Sequence, residues 1–176
     1  MKTKPLFFAL VFLMLLSSCG INNNPGPTSS YKPILIKRSE ANDFIQITKA
    51  KNFTNTGNGF LYGNIFFLVE ESKGIHLIDK TDNNNNLPFA FIELFNLTDV
   101  YVIGDFLYAN QSVDLVVLDI SDIENNNISS ISRVMNVNED IPPDNLPLKD
   151  EFNLNRPDNT IVYRWEYIWS NNFIFF

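Results

Sequence analysis

One histidine, one cysteine and a few acidic side chains are the residues of this chain best suited to catalysis or metal binding. His76 lies in the apolar run Gly74-Ile-His-Leu-Ile-Asp79, where strand alternation turns its ring away from Ile75 and Leu77. No Ser or Cys nucleophile motif accompanies it, so His76 reads as a packed or surface histidine rather than a catalyst. Asp79 and Asp119 occupy equivalent strand ends. Paired carboxylates can do acid–base work, but a carboxylate repeated at one position is better explained as capping its own turn through an Asx hydrogen bond. Asp82-Asn-Asn-Asn-Asn86 offers oxygens of the kind calcium takes, yet lacks the Gly and the distal Glu of an EF-hand loop, and reads as a polar turn. No Gly-rich phosphate loop follows a strand, and no nucleophile elbow is present. A single cysteine, Cys19, and a single histidine exclude an internal disulfide and a Cys/His zinc cluster within one chain. The expectation is a chain with no catalytic residue, no metal site and no cofactor.

The elements that would carry these residues are strands. Phe, Tyr and Ile are abundant, and Asn occurs in runs at 22–24, 83–86 and 125–127; aromatic and β-branched residues suit strands, and Asn suits the turns between them. With 176 residues, 45% of them hydrophobic, one folded domain with a real core is expected. Acidic residues outnumber basic ones by 20 to 13, and no basic patch appears, which argues against a nucleic-acid partner. Four glycosylation-type sequons, at Asn52, Asn96, Asn110 and Asn127, are what chance supplies in so Asn-rich a chain.

The first 18 residues have the form of a secretory signal: Lys2 and Lys4, then the apolar run Leu6 to Leu16, too short for a spanning helix of about 20 residues. Leu16-Ser17-Ser18-Cys19 resembles the bacterial lipobox, in which small residues precede the cut and the next thiol is alkylated by lipid. That resemblance implies a diacylglyceryl group on Cys19, with a further acyl chain often added at the new amino terminus, and several chains hold a protein stably on a membrane. Removal of Lys2 and Lys4 leaves 11 basic against 20 acidic residues, a net charge of −9. Residues 19–30, rich in Gly, Pro, Ser and Asn, read as a flexible tether. Gly20, where Asp would signal inner-membrane retention, favours the outer membrane of a two-membrane cell.

From Tyr31 to Val137 the chain repeats itself. Gly63-Asn-Ile-Phe-Phe-Leu-Val69 and Gly74-Ile-His-Leu-Ile-Asp79 answer to Gly104-Asp-Phe-Leu-Tyr-Ala109 and Asp114-Leu-Val-Val-Leu-Asp119. The offset of about 40 residues is a propeller-blade period. Each unit reads as a strand, a Gly-Asn or Gly-Asp turn, two further strands and, after a polar loop, a fourth. The expected fold is all-β, two propeller-blade-like antiparallel meanders forming a partial β-propeller. Only Ser39 to Lys51 reads as helical. Gly74-Ile-His-Leu-Ile-Asp79 and Asp114-Leu-Val-Val-Leu-Asp-Ile-Ser-Asp122 resemble the LVIVD repeat of Bacteroidetes-type surface lipoproteins. Neither unit has the proline that commonly ends that family's turn, and two units are fewer than its members usually carry. Residues 138–176 read as a Pro/Asp-rich linker and an aromatic tail, whose Thr160 to Trp169 reads either as one more strand or as the ragged end of an interrupted reading frame.

The function expected from this reading, and from the resemblance, is a cell-envelope lipoprotein acting as a non-catalytic binding or scaffolding module. It is held on the membrane by lipid on Cys19 and open to a protein partner or to self-association through unpaired strand edges. A secreted enzyme with its site on propeller loops, and a truncated paralogue without a function of its own, are the alternatives. An enzyme would require ionisable side chains converging at one propeller face, and the sequence displays no such cluster. The loop at 82–86 lacks the charge count of a tight calcium site, so thermal melts with calcium and with chelator should superimpose; a shift of several degrees would refute the polar-turn reading.

Overall fold

A computed structural model describes residues 26–81 and 87–168. Its strands are β1 (Tyr31–Lys37), β2 (Gln46–Lys49), β3 (Thr56–Tyr62), β4 (Ile65–Glu70), β5 (Gly74–Asp79), β6 (Pro88–Glu93), β7 (Leu97–Ile103), β8 (Phe106–Gln111), β9 (Asp114–Asp119), β10 (Ser130–Val134) and β11 (Thr160–Tyr167). They form three antiparallel sheets: β2-β6-β5-β4-β3, the first blade; β7-β8-β9-β10, the second; and the pair β1-β11. The fold is all-β, two propeller-like meanders that do not close into a ring.

Tight turns set the hairpins. Gly63 and Gly104 each open a two-residue turn with φ near +60° (56° and 59°), a conformation that suits residues without a Cβ and matches the twist of the flanking strands. The segment read as helical departs from expectation. Only Arg38–Ala41 forms an α-helical turn and Asn42–Phe44 a 3₁₀ turn; Gln46–Lys49 is a strand added to the free side of β6. The alternation Ile45-Gln-Ile-Thr48 suits that edge, and Ile45 and Ile47 turn into the core. In the stretch read as linker and tail, 139–149 run without helix or strand, Asp150–Leu154 make a helical turn, and Thr160–Tyr167 pair with β1 along its whole length.

The two blades bury one core between them, and they do so with opposite faces. In the first blade Ile65, Phe67, Val69, Ile75 and Leu77 face the seam. In the second the seam is made by Leu107, Ala109, Val116 and Leu118, the residues equivalent by repeat to Phe66, Leu68, His76 and Ile78. Strand partners directly opposite one another share a face, so the repeat equivalents of the first blade's core, Phe106, Tyr108, Leu115 and Val117, lie on the far side of the second. Front-to-back stacking of this kind is the relation between neighbouring propeller blades. It explains why both alternating sets in each unit are apolar.

Gly74 is forced by packing: a Cβ there would meet the Ile92 carbonyl oxygen and the Phe91 ring, and its φ is 151°. Gly74→Ala is expected to cost about 1–3 kcal/mol in a denaturant melt, whereas Gly63→Asn, in an open turn that tolerates left-handed Asn, should cost less than half as much.

Candidate functional site

Glu70 beside the β4–β5 turn, and Gln111 and Asp114 on either side of the β8–β9 turn, are polar side chains at strand ends, and a buried cluster forms around each turn. Glu70 ends β4. Its carboxylate accepts hydrogen bonds from Lys73 Nζ (2.6 Å), from the Thr54 hydroxyl and from His76 Nε2 (2.6 Å). Burial pushes the Glu70 carboxyl up, but the bonds from Lys73, Thr54 and His76 outweigh it and hold the group down at about 2. His76 is fully buried on the outer face of the first blade because the segment 50–55 crosses it: the Phe53 and Phe91 rings pack on the imidazole at 4.8 and 4.7 Å, and Lys51 Nζ sits 4.6 Å from the Phe91 ring centre. With Nε2–H donated to Glu70, Nδ1 finds no partner among the described residues. The expected strand alternation holds; the outward-facing side is simply covered.

The second cluster closes one end of the seam between the blades. Asp114 opens β9 and is fully buried. Its two oxygens accept from Arg38 Nε (2.9 Å) and Nη2 (3.2 Å), Arg133 Nη1 (3.2 Å) and the Asn136 backbone N–H (2.9 Å). Four donors fill the acceptor capacity of a carboxylate. Burial pushes Asp114 up, and the hydrogen bonds and charge of Arg38, Asn136 and Arg133 bring it below its ordinary value. Arg133 also donates to Gln111 Oε1 (2.7 Å) and to Asn42 Oδ1, and Arg38 to Asn136 Oδ1 (2.6 Å).

Ionisable side chains therefore do converge, which sequence reasoning did not foresee. The partners are 76, 98 and 91 residues apart along the chain, in Arg38–Asp114, Arg38–Asn136 and Asn42–Arg133. The legible signal was Arg133 in the middle of a strand and the substitution of Gln111 and Asp114 for Glu70 and Gly74 between repeats. Chemically, the carboxylates of both clusters are engaged by the chain itself, and His76 Nδ1 and the Gln111 side-chain nitrogen are the buried polar atoms without a partner among the described residues. His76 and Glu70 form an acid–base pair in type, but the Phe53 and Phe91 rings pack on the imidazole, and the Thr54 hydroxyl on the same carboxylate is held by Glu70 and Lys73.

Asp79 and Asp119 cap their own turns, accepting from the backbone N–H of Thr81 (2.7 Å) and Ser121 (3.0 Å). They stand far from both buried clusters, at the opposite strand ends. Asn96, with φ of 50°, crosses from β6 to β7; Ser112 N–H donates to its carbonyl, and its side chain donates to the carbonyls of Val162 (2.8 Å) and Tyr163 in β11. Beside it a groove of about 570 Å³, lined by Ser72, Asn110, Ser112, Asp140 and Trp165, is open to solvent and mixes hydroxyl, amide and indole groups. Among the described residues no three His, Cys, Asp or Glu gather as a metal ion would require. Cys19 and the Asn-rich loop at 82–86 lie outside the described residues. Comparison with protein-family models, curated proteins and solved structures found no match.

Glu70 ties pH to stability. Its folded-state value lies below its ordinary one, so its contribution is complete above about pH 4.5 and is lost as pH falls toward about 2. Melting temperature should fall across that window, and Glu70→Gln should flatten the fall while lowering stability at neutral pH; an unchanged acid profile in the variant would refute the assignment.

Proposed function

We propose that the chain is a membrane-anchored cell-envelope lipoprotein, of the LVIVD-repeat kind, that serves as a non-catalytic binding or scaffolding module. The observation that supports the non-catalytic part is that the buried Glu70 and Asp114 carboxylates accept their hydrogen bonds from the chain itself, three at Glu70 and four at Asp114. The anchor rests on the single cysteine standing directly after an apolar signal-like run, with a Gly/Pro/Ser/Asn tether behind it to hold the body off the lipid surface, most simply that of an outer membrane. Recognition would fall to surfaces rather than to a buried cleft. The open groove beside Asn96 offers hydrogen-bonding groups to a polar ligand, and the free edges of β2, β3, β7 and β10, which have no strand neighbour among the described residues, offer backbone pairing to a protein partner. Neither calls for a cofactor or a nucleic acid.

The anchor is tested by detergent phase partition of the full chain with mass spectrometry of its amino terminus. The native chain is expected in the detergent phase with acylated Cys19 as its first residue, and Cys19→Ala is expected unprocessed. An unmodified terminus at another residue would overturn the proposal.

A further inference from the structure

Three turns with left-handed residues form the floor of the open groove beside Asn96. Ser72 in the β4–β5 turn, Asn96 between β6 and β7, and Ser112 in the β8–β9 turn have φ of 63, 50 and 55°. Their backbones are tied in a row: Ser72 N–H donates to the Leu97 carbonyl (2.9 Å), Asn96 N–H to that of Ser72 (3.0 Å), and Ser112 N–H to that of Asn96 (3.1 Å). Asparagine takes this conformation readily, whereas serine is more strained in it than glycine. Both serines nonetheless keep a hydroxyl on the groove, and the Asn96 amide, donating to the Val162 and Tyr163 carbonyls, holds the strand of Trp165 beside them.

The side chains around that floor are not spent on the chain. Those of Ser72, Thr98, Asn110, Asn138 and Glu139, and the indole N–H of Trp165, have no hydrogen-bond partner among the described residues, unlike the carboxylates of Glu70 and Asp114. Asp140 differs: the Ser112 hydroxyl and Arg156 hold its carboxylate, which fixes it in the wall and offsets its charge. This lining selects among ligands. Amides and hydroxyls both donate and accept, as the hydroxyls of a sugar do. A half-buried indole offers a flat apolar surface to the C–H side of a sugar ring. Among the described residues no Lys, Arg or His lines the groove while Glu139 does, so an anionic ligand would be repelled. An apolar ligand would strip the amides and hydroxyls of water and give nothing back. The volume, about 570 Å³, is that of a small-molecule site.

We propose that this groove binds a neutral sugar unit of a glycan, with the Trp165 indole against the face of the ring and Thr98, Asn110 and Asn138 hydrogen-bonding its hydroxyls. The inference rests on the reading of the chain as a non-catalytic binding module and names the class of its ligand. It does not depend on the lipid anchor, which the amino-terminal analysis tests separately.

Saturation-transfer NMR and calorimetry on the full chain, held in a detergent without a sugar headgroup, test this with glucose, galactose, mannose, N-acetylglucosamine and their disaccharides as probes. At least one of these neutral sugars should bind with a Kd on the order of 1 mM or tighter, and with little dependence on salt. Trp165→Ala and Asn110→Ala should each weaken binding about tenfold. Asn110→Ala removes a side chain that bonds to no described residue, so its melt should be unchanged and its loss of binding is not a loss of fold. No binding up to about 20 mM, binding indifferent to both variants, or preference for a sulfated sugar or for tetra-alanine would overturn the proposal. Chromatography of the disaccharide after long incubation separates the site from the reading beneath it. A disaccharide bound and recovered whole supports both; one bound and cleaved keeps the site and overturns the non-catalytic reading; none bound overturns the site alone.

Discussion

One buried carboxylate holds the parts of this molecule that lie outside the repeats. Asp114 is removed from water entirely, and an ion so placed is tolerated only if its partners replace the lost hydration. Those partners come from three places: Arg38 from the turn after β1, Arg133 from the last strand of the second blade, and the backbone of Asn136 beyond it. The arrangement gives direction as much as energy. A hydrophobic residue at 114 could fill the space, but it would leave two guanidiniums facing each other at the end of the seam. The β1-β11 sheet keeps its place at that end through the same network, through Asn96, and through the small apolar cluster of Ala41, Val113 and Ile161.

Front-to-back stacking of the blades explains the sequence pattern better than a two-layer sandwich would. In a sandwich one alternating set of each strand faces solvent and turns polar. Here Ile65 and Phe66, Phe67 and Leu68, Leu107 and Tyr108 are all large and apolar, because each unit is built to be covered on both sides. In the first blade the chain supplies part of that second cover with the segment bearing Phe53 and Lys51. His76 then takes up a buried position where the second unit has Val116, and its polar edge is met by Glu70, whose equivalent is Gln111. The two units diverged where their surroundings differ.

The β-hairpins, their turns and the Asx caps of Asp79 and Asp119 were legible because each is encoded within a dozen residues: Gly at the turn, alternation along the strand, Asp two residues before the N–H it captures. The clusters around Glu70 and Asp114 were not, since their partners meet only through sheet stacking and the β1-β11 pairing. The strand Gln46–Lys49 was misread for a related reason. Four residues carry too weak a local preference to declare a strand, and what decides their state is the unpaired side of β6.

The pairing of β1 with β11 also orders events in time. The strand nearest the amino terminus of the folded body has its partner about 130 residues later, whereas the strands of each meander find theirs within a few tens of residues. Loop closure over the longer span is the slower and more entropically costly step, so the blades form first and the clasp shuts last. Without β11, β1 has no strand partner among the described residues, and Arg38, which follows β1, loses the sheet that positions it against Asp114. The two blades can thus be paired strand to strand while the end of the seam at Asp114 stays open until Thr160–Tyr167 joins β1.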